Sequence, residues 1–258
     1  MNYAAILTRM ITRSMNRCRA LKFACAFYRC FALSVLAMSM SVHAEFTVCP
    51  KPILQQLLKT TKDEVPMCKP VPKQVQWLVL QVEQKSSVQQ ISHVYLYSLD
   101  MQQRLELLDH QQLHHKALSQ GRSSIAFANE FIDLGQKNLA IELTWTQQHT
   151  GLNSGLQRYS SFILVKPKYL HVVLGPIERD RQLIQHLDQI GSQRDQRIDG
   201  QWTLGRDKRM GLFDLYLNQT ETIQDQLRNA SGQTGTRQEE YRRVQRYRFD
   251  GVHYKRVS

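Results

Sequence analysis

After Pro72 the apolar side chains of this chain fall on alternate positions in short runs, and a period of two restricts a chain to β-structure. The runs 75–83 and 93–99 are rich in β-branched and aromatic residues, which suit a pleated, half-buried surface. Further runs follow at 104–108, 124–128, 139–147, 159–166, 169–174, 201–205, 211–218, 244–249 and 252–257. Short turn signals separate them. Asp250-Gly251 reads as a hairpin turn, Lys166-Pro167-Lys168 turns one strand into the next, and 135–138 makes another turn. Strands at this spacing with few helices predict a mainly β fold, an antiparallel sandwich or a partial-propeller-like arrangement. Ile141, Leu143 and Trp145 alternate with polar residues, which predicts one buried and one wet face there. Two segments fit less well. Residues 177–190 suit either a helix or a charged loop, and the polar 231–240 reads as a loop.

The N-terminal third differs. Residues 1–44 hold Arg9, Arg13, Arg17, Arg19, Lys22 and Arg29 and no acid, then an apolar run over 30–42, then Val42-His43-Ala44 with small or modest side chains at the −3 and −1 positions. That is the pattern of a cleavable secretory signal peptide, with Met10 or Met15 as alternative starts. The apolar run is shorter than the ~20 residues a membrane span needs. The expected working protein is therefore one mainly-β domain over 45–258, exported to the periplasm or the exterior, with no transmembrane span after cleavage. Of 34 Lys+Arg and 22 Asp+Glu, six bases leave with the signal, so the formal charge falls from +12 to +6.

Cys49 and Cys68 are the cysteines that remain, an even number bound for an oxidising compartment. A bridge between them would contribute ~3 kcal/mol on the chain-entropy model. It would clasp a short helix predicted within 50–65, where Pro50 and Pro52 sit at the start and Ile53, Leu54, Leu57 and Leu58 share one face.

The stretches 131–143, 211–217 and 247–254 each set an Asp beside an apolar strand. In this they resemble hairpins of uncharacterised exported bacterial proteins with propeller-like strands. The resemblance rests on turn chemistry and implies no activity.

Residues able to carry chemistry are few. Asp109, His110, His114 and His115 form a cluster; on a helix His110 and His114 would share a face, but the adjoining leucines suggest a strand, and the segment reads as a solvated polar connection. No nucleophile elbow or phosphate-cradling loop is present, so no catalytic residue, metal or cofactor is assigned. Asp133 suits a turn-ordering role, and Trp77, Trp145 and Trp202 suit core packing. The basic C-terminus offers a candidate anion-binding row, Arg242, Arg243, Arg246 and Arg248. Outside the cytoplasm its partner would be an anionic envelope component or an acidic protein, with no nucleic acid expected. These features favour a non-enzymatic binding or accessory module with a basic face. The alternative is a hydrolase whose acids come from separate strands. Tyr247, Phe249 and Tyr254 are expected in the core with the arginines on the other face, so Phe249→Ala should destabilise, whereas replacing Arg246 and Arg248 should leave stability nearly unchanged.

Overall fold

In a computed structural model the described residues are 49–57, 66–86, 89–116, 121–150, 154–187 and 191–257. The predicted signal segment, and the part of the predicted helix beyond residue 57, lie outside them. All described residues belong to one compact unit, Phe46–Ser258.

Among the described residues one short helix, α1 (Lys51–Leu57), precedes twelve antiparallel strands. A four-stranded sheet takes β1 (Met67–Pro70), β2 (Gln76–Ser86), β3 (Gln89–Leu99) and β4 (Leu105–Lys116) in chain order. An eight-stranded sheet takes β5 (Gly121–Asp133), β6 (Leu139–His149), β7 (Ser154–Val165), β8 (Leu170–His186), β9 (Gln193–Arg209), β10 (Leu212–Arg228), β11 (Thr234–Phe249) and β12 (Tyr254–Val257), again in chain order and without closing into a barrel.

The larger sheet folds back on itself. β8 pairs with β9 only over 181–186, while its first half pairs with β7 alone. Register shifts along β7–β8 allow the bend. At Gly200 a Cβ would lie 2.4 Å from the Arg179 carbonyl, so the two strands cross where only glycine fits. The layers then run α1, β1–β4, β5–β8 and β9–β12. Ile53 and Leu57 pack on Val79 and Tyr97 under α1, where Cys49 and Cys68 are bonded with Cα atoms 5.0 Å apart. Leu78, Leu80, Val94 and Leu96 meet Ile141, Leu143 and Ile163 in the next gap. Phe162 and Leu164 meet Leu215, Leu217, Tyr247 and Phe249 in the last.

This layering corrects the expectation that β6 has one wet face. Ala140 and Glu142 are buried on the side opposite Ile141 and Leu143, because β9–β12 covers it. It also explains why Phe162, Ile163, Leu164 and Val165 are buried in succession. Three further expectations change. Residues 109–115 belong to β4, 177–186 continue β8 as a strand, and 234–240 begin β11.

The Asp250-Gly251 hairpin is as expected. Asp250 N donates to His253 O at 3.0 Å, Gly251 takes φ +111°, and Tyr247, Phe249 and Tyr254 are buried.

Candidate anion-binding surfaces

Alternation along β11 divides its arginines, Arg243 on one face and Arg242, Arg246 and Arg248 on the other. Each meets a carboxylate. Arg242 lies 3.2 Å from Glu240 and Arg243 lies 3.9 Å from Glu221. Arg246 reaches both Asp214, at 2.5 Å, and Asp207, at 2.7 Å, and Arg248 approaches Asp214 at 3.5 Å. Asp214 is 1% exposed, just where the β9–β10 register shifts. A carboxylate so buried requires cations beside it. The sequence hides this pairing, since Asp214 is 32 residues from Arg246.

A groove of about 630 Å³ opens between the bend in β8 and strands β9–β12; Glu178, Arg181, Glu221, Arg243, Tyr247 and Tyr254 are among the residues that line it. Its acids come from separate strands, as a hydrolase would need, but both are engaged. Glu178 accepts two bonds from Arg181, at 2.6 and 2.7 Å. Glu221 accepts from Gln196 at 2.5 Å and faces Arg243.

The histidines occupy a strand, so His110 and His114 stand ~13 Å apart along it. His110 instead meets His93 at 3.0 Å and stacks on Tyr95. His115 is buried against Trp145 and shares a 2.7 Å bond with Ser92, while its Nδ1 has no partner among the described residues. Burial, and secondarily the neighbouring His114, lowers its pKa to about 4. Asp109 accepts the Leu170 amide at 2.6 Å, joining the two sheets. Asp133 accepts the Gly135 amide at 2.8 Å, which orders the β5–β6 turn. Among the described residues no three His, Cys, Asp or Glu side chains gather as a metal site. Trp145 and Trp202 pack within the layers, and Trp77 packs beside α1.

A different surface forms where the meander gathers its alternate turns. Gln76 bonds Pro167 O, linking the β1–β2 and β7–β8 turns. His171 bonds Val252 O, linking β8 to the β11–β12 turn. Met210 lies 3.0 Å from the position of a Cβ on Gly251, and Phe213 N donates to Leu134 O at 2.7 Å, bringing in the β9–β10 and β5–β6 turns. Exposed Lys73, Lys137, Lys168, Lys208 and Arg209 project from this end and pair with no carboxylate among the described residues. Val75, Met101, Tyr169, Met210 and Val252 are each more than half exposed here. Of the acids nearby, Asp100 pairs with Arg104, Asp207 with Arg246 and Asp250 with Lys255, Asp133 accepts the Gly135 amide, and Glu106 is exposed near the start of β4. Lys73, Lys137 and Met210 take φ of 61°, 60° and 50°, a left-handed conformation that costs a side-chain-bearing residue ~1–2 kcal/mol. No single stretch of sequence signals this surface, because no turn contributes more than three of its residues.

The fold and surfaces define a layered antiparallel β protein with a basic end built from turns. No protein-family model, curated protein or solved structure matches the chain.

Proposed function

We propose that this chain works outside the cytoplasm as a non-enzymatic binding module that docks its turn-built end onto anionic lipid headgroups. The carrying observation is the convergence there of Lys73, Lys137, Lys168, Lys208 and Arg209, none paired with a carboxylate among the described residues, with exposed Met101, Tyr169, Met210 and Val252 between them. Cations near an anionic bilayer contribute ~1 kcal/mol each, and apolar tips among them sink into the headgroup layer. The left-handed backbone at Lys73, Lys137 and Met210 supports the same reading, since glycine would hold those turns at lower cost. Among the described residues no helix is long and apolar enough to cross a membrane, so the docking proposed is peripheral. The disulfide and the N-terminal export pattern support an oxidising compartment. The arginines of β11 are matched by Glu240, Glu221, Asp207 and Asp214, so the surplus charge is better placed at the turns.

Vesicle sedimentation tests this. The protein should pellet with phosphatidylglycerol-rich vesicles, stay in solution with phosphatidylcholine vesicles, and be released as salt rises beyond ~0.15 M. Replacing Lys137, Lys168 and Arg209 with Gln should weaken binding on the order of 100-fold, at ~1 kcal/mol per charge. Equal recovery on both vesicle types, or on neither, would refute the proposal.

A further inference from the structure

The outer edge of β11 is open along most of its length. β10 covers one side over 234–247, but β12 covers the other only over 246–249. Among the described residues no strand lies against 234–245 on that side. The Asp250–His253 closing bond fixes which groups point outward. From it, the antiparallel alternation turns the N–H and C=O of Arg248 and Arg246 toward β12. The same alternation turns those of Val244, Arg242, Glu240 and Gln238 outward from the sheet edge. Tyr241 and Val244 are 52% and 62% exposed beside them.

An open edge is a template for another strand, and monomeric proteins usually guard it with charges that repel a second copy. Here the order of charges does the reverse. The edge reads Glu239-Glu240-Tyr241-Arg242-Arg243. Laid antiparallel on itself with Tyr241 on the two-fold axis, it sets Glu240 opposite Arg242 and Glu239 opposite Arg243, in both directions. Opposite charges directly across a ladder stabilise it. A shift of the axis to residue 240 opposes Glu240 to itself and Arg237 to Arg243. A shift to 242 opposes Arg242 to itself. One register therefore stands out, and it brings the outward N–H and C=O of Glu240 and Arg242 together. In the single chain Arg242 and Glu240 only pair with each other along the strand, with side chains 82% and 48% exposed.

We infer that two copies of this chain pair edge to edge through β11, about a two-fold axis at Tyr241, joining their eight-stranded sheets. The interface is isologous and closed, as a two-fold dimer requires. β12 bounds it, since it occupies the edge from Arg246 onward and leaves 237–245 to pair. Beyond that the facing hairpin has to leave the plane, and Gly235, with nothing within 4 Å of a Cβ, is where it bends.

Sedimentation velocity on the purified protein, up to ~0.5 mM to allow for a small interface, reads the dimer directly. The parent should reach twice the monomer mass. Glu239→Arg with Glu240→Arg should be monomeric, and so should Arg242→Glu with Arg243→Glu, each checked for an intact melt. An equimolar mixture of the two variants should recover the dimer, because each then opposes the other's charges. Tyr241→Cys, which leaves every charge in place, should give a covalent dimer on mild oxidation, since directly opposed positions in a non-hydrogen-bonded pair lie ~4.5 Å apart. Gln238→Cys, set ~20 Å from its counterpart, should not. A monomeric parent, half-swapped variants that dimerise like it, a mixture that stays monomeric, or equal cross-linking at 238 and 241 would each overturn the inference.

Discussion

Asp214 changes what the C-terminal arginines are for. From the sequence they look like an exposed row whose removal costs little. In the fold Arg246 and Arg248 are the counter-charges of a carboxylate that is 1% exposed. Replacing Arg246 and Arg248 with Ala leaves that charge buried and unmatched, which is more damaging than losing an exposed ion pair. The double variant should melt well below the parent, of the order of 5 °C, and Asp214→Asn in the same background should recover much of the loss; thermal melts of the three proteins decide it. His115 sets a second residue-level expectation. Its folded pKa of about 4 lies below the ordinary value of 6.5, so the unfolded chain takes up its proton first. The associated stability is fully present above pH ~6.5 and is lost progressively as pH falls toward 4, on the order of 2–3 kcal/mol. Urea unfolding at pH 7.5 and 4.5 should show this loss in the parent and much less of it in His115→Gln. An equal loss in both would mean that other groups set the acid sensitivity.

Beyond their packed halves, β8–β11 run on together as a sheet without a hydrophobic cluster of its own. What holds it, besides the ladder, is a set of cross-strand ion pairs on one face. Arg194 makes a two-bond contact with Asp225, at 2.7 and 2.9 Å, and Arg243 faces Glu221. Such pairs contribute less than apolar burial. Backbone amides there should exchange at least ~10-fold faster than those of β6 and β7, which are buried on both faces; mass-resolved hydrogen exchange would measure this. The same contrast explains what the sequence discloses. Apolar alternation marks β2, β3, β6 and the inner part of β10, and the cysteines announce their bridge. The outer halves of β8, β9 and β11 carry charges in place of apolar alternation, some paired along their own strand, as Arg242 and Glu240 are, and some with partners elsewhere in the chain, as Arg194 and Asp225 are, 31 residues apart. A search for apolar period therefore stops short of them, and 234–240 passes for a loop. Glu142 is hidden for a related reason. Its burial beside Arg179 and Ser160 depends on a layer that the chain builds later.

At the scale of the whole molecule the meander decides where things gather. Alternate turns of an up-and-down sheet fall at one end, so Lys73, Lys137, Lys168 and Arg209 become neighbours without a shared motif. Pairing through β11 would point these ends in opposite directions, because the two-fold axis reverses the strand. Strand order in space also equals strand order in the chain, in both sheets. Every ladder is thus closed by a short loop, and the entropy of loop closure is met in small instalments. A β protein in which sequence neighbours pair is expected to fold faster than one of equal size with distant pairings. If the chain is exported N-terminus first, as proposed, the consequence is an order of assembly. The four-stranded sheet has all its ladders before residue 117, each later strand of the larger sheet finds its template already laid down, and β12 is added after the rest.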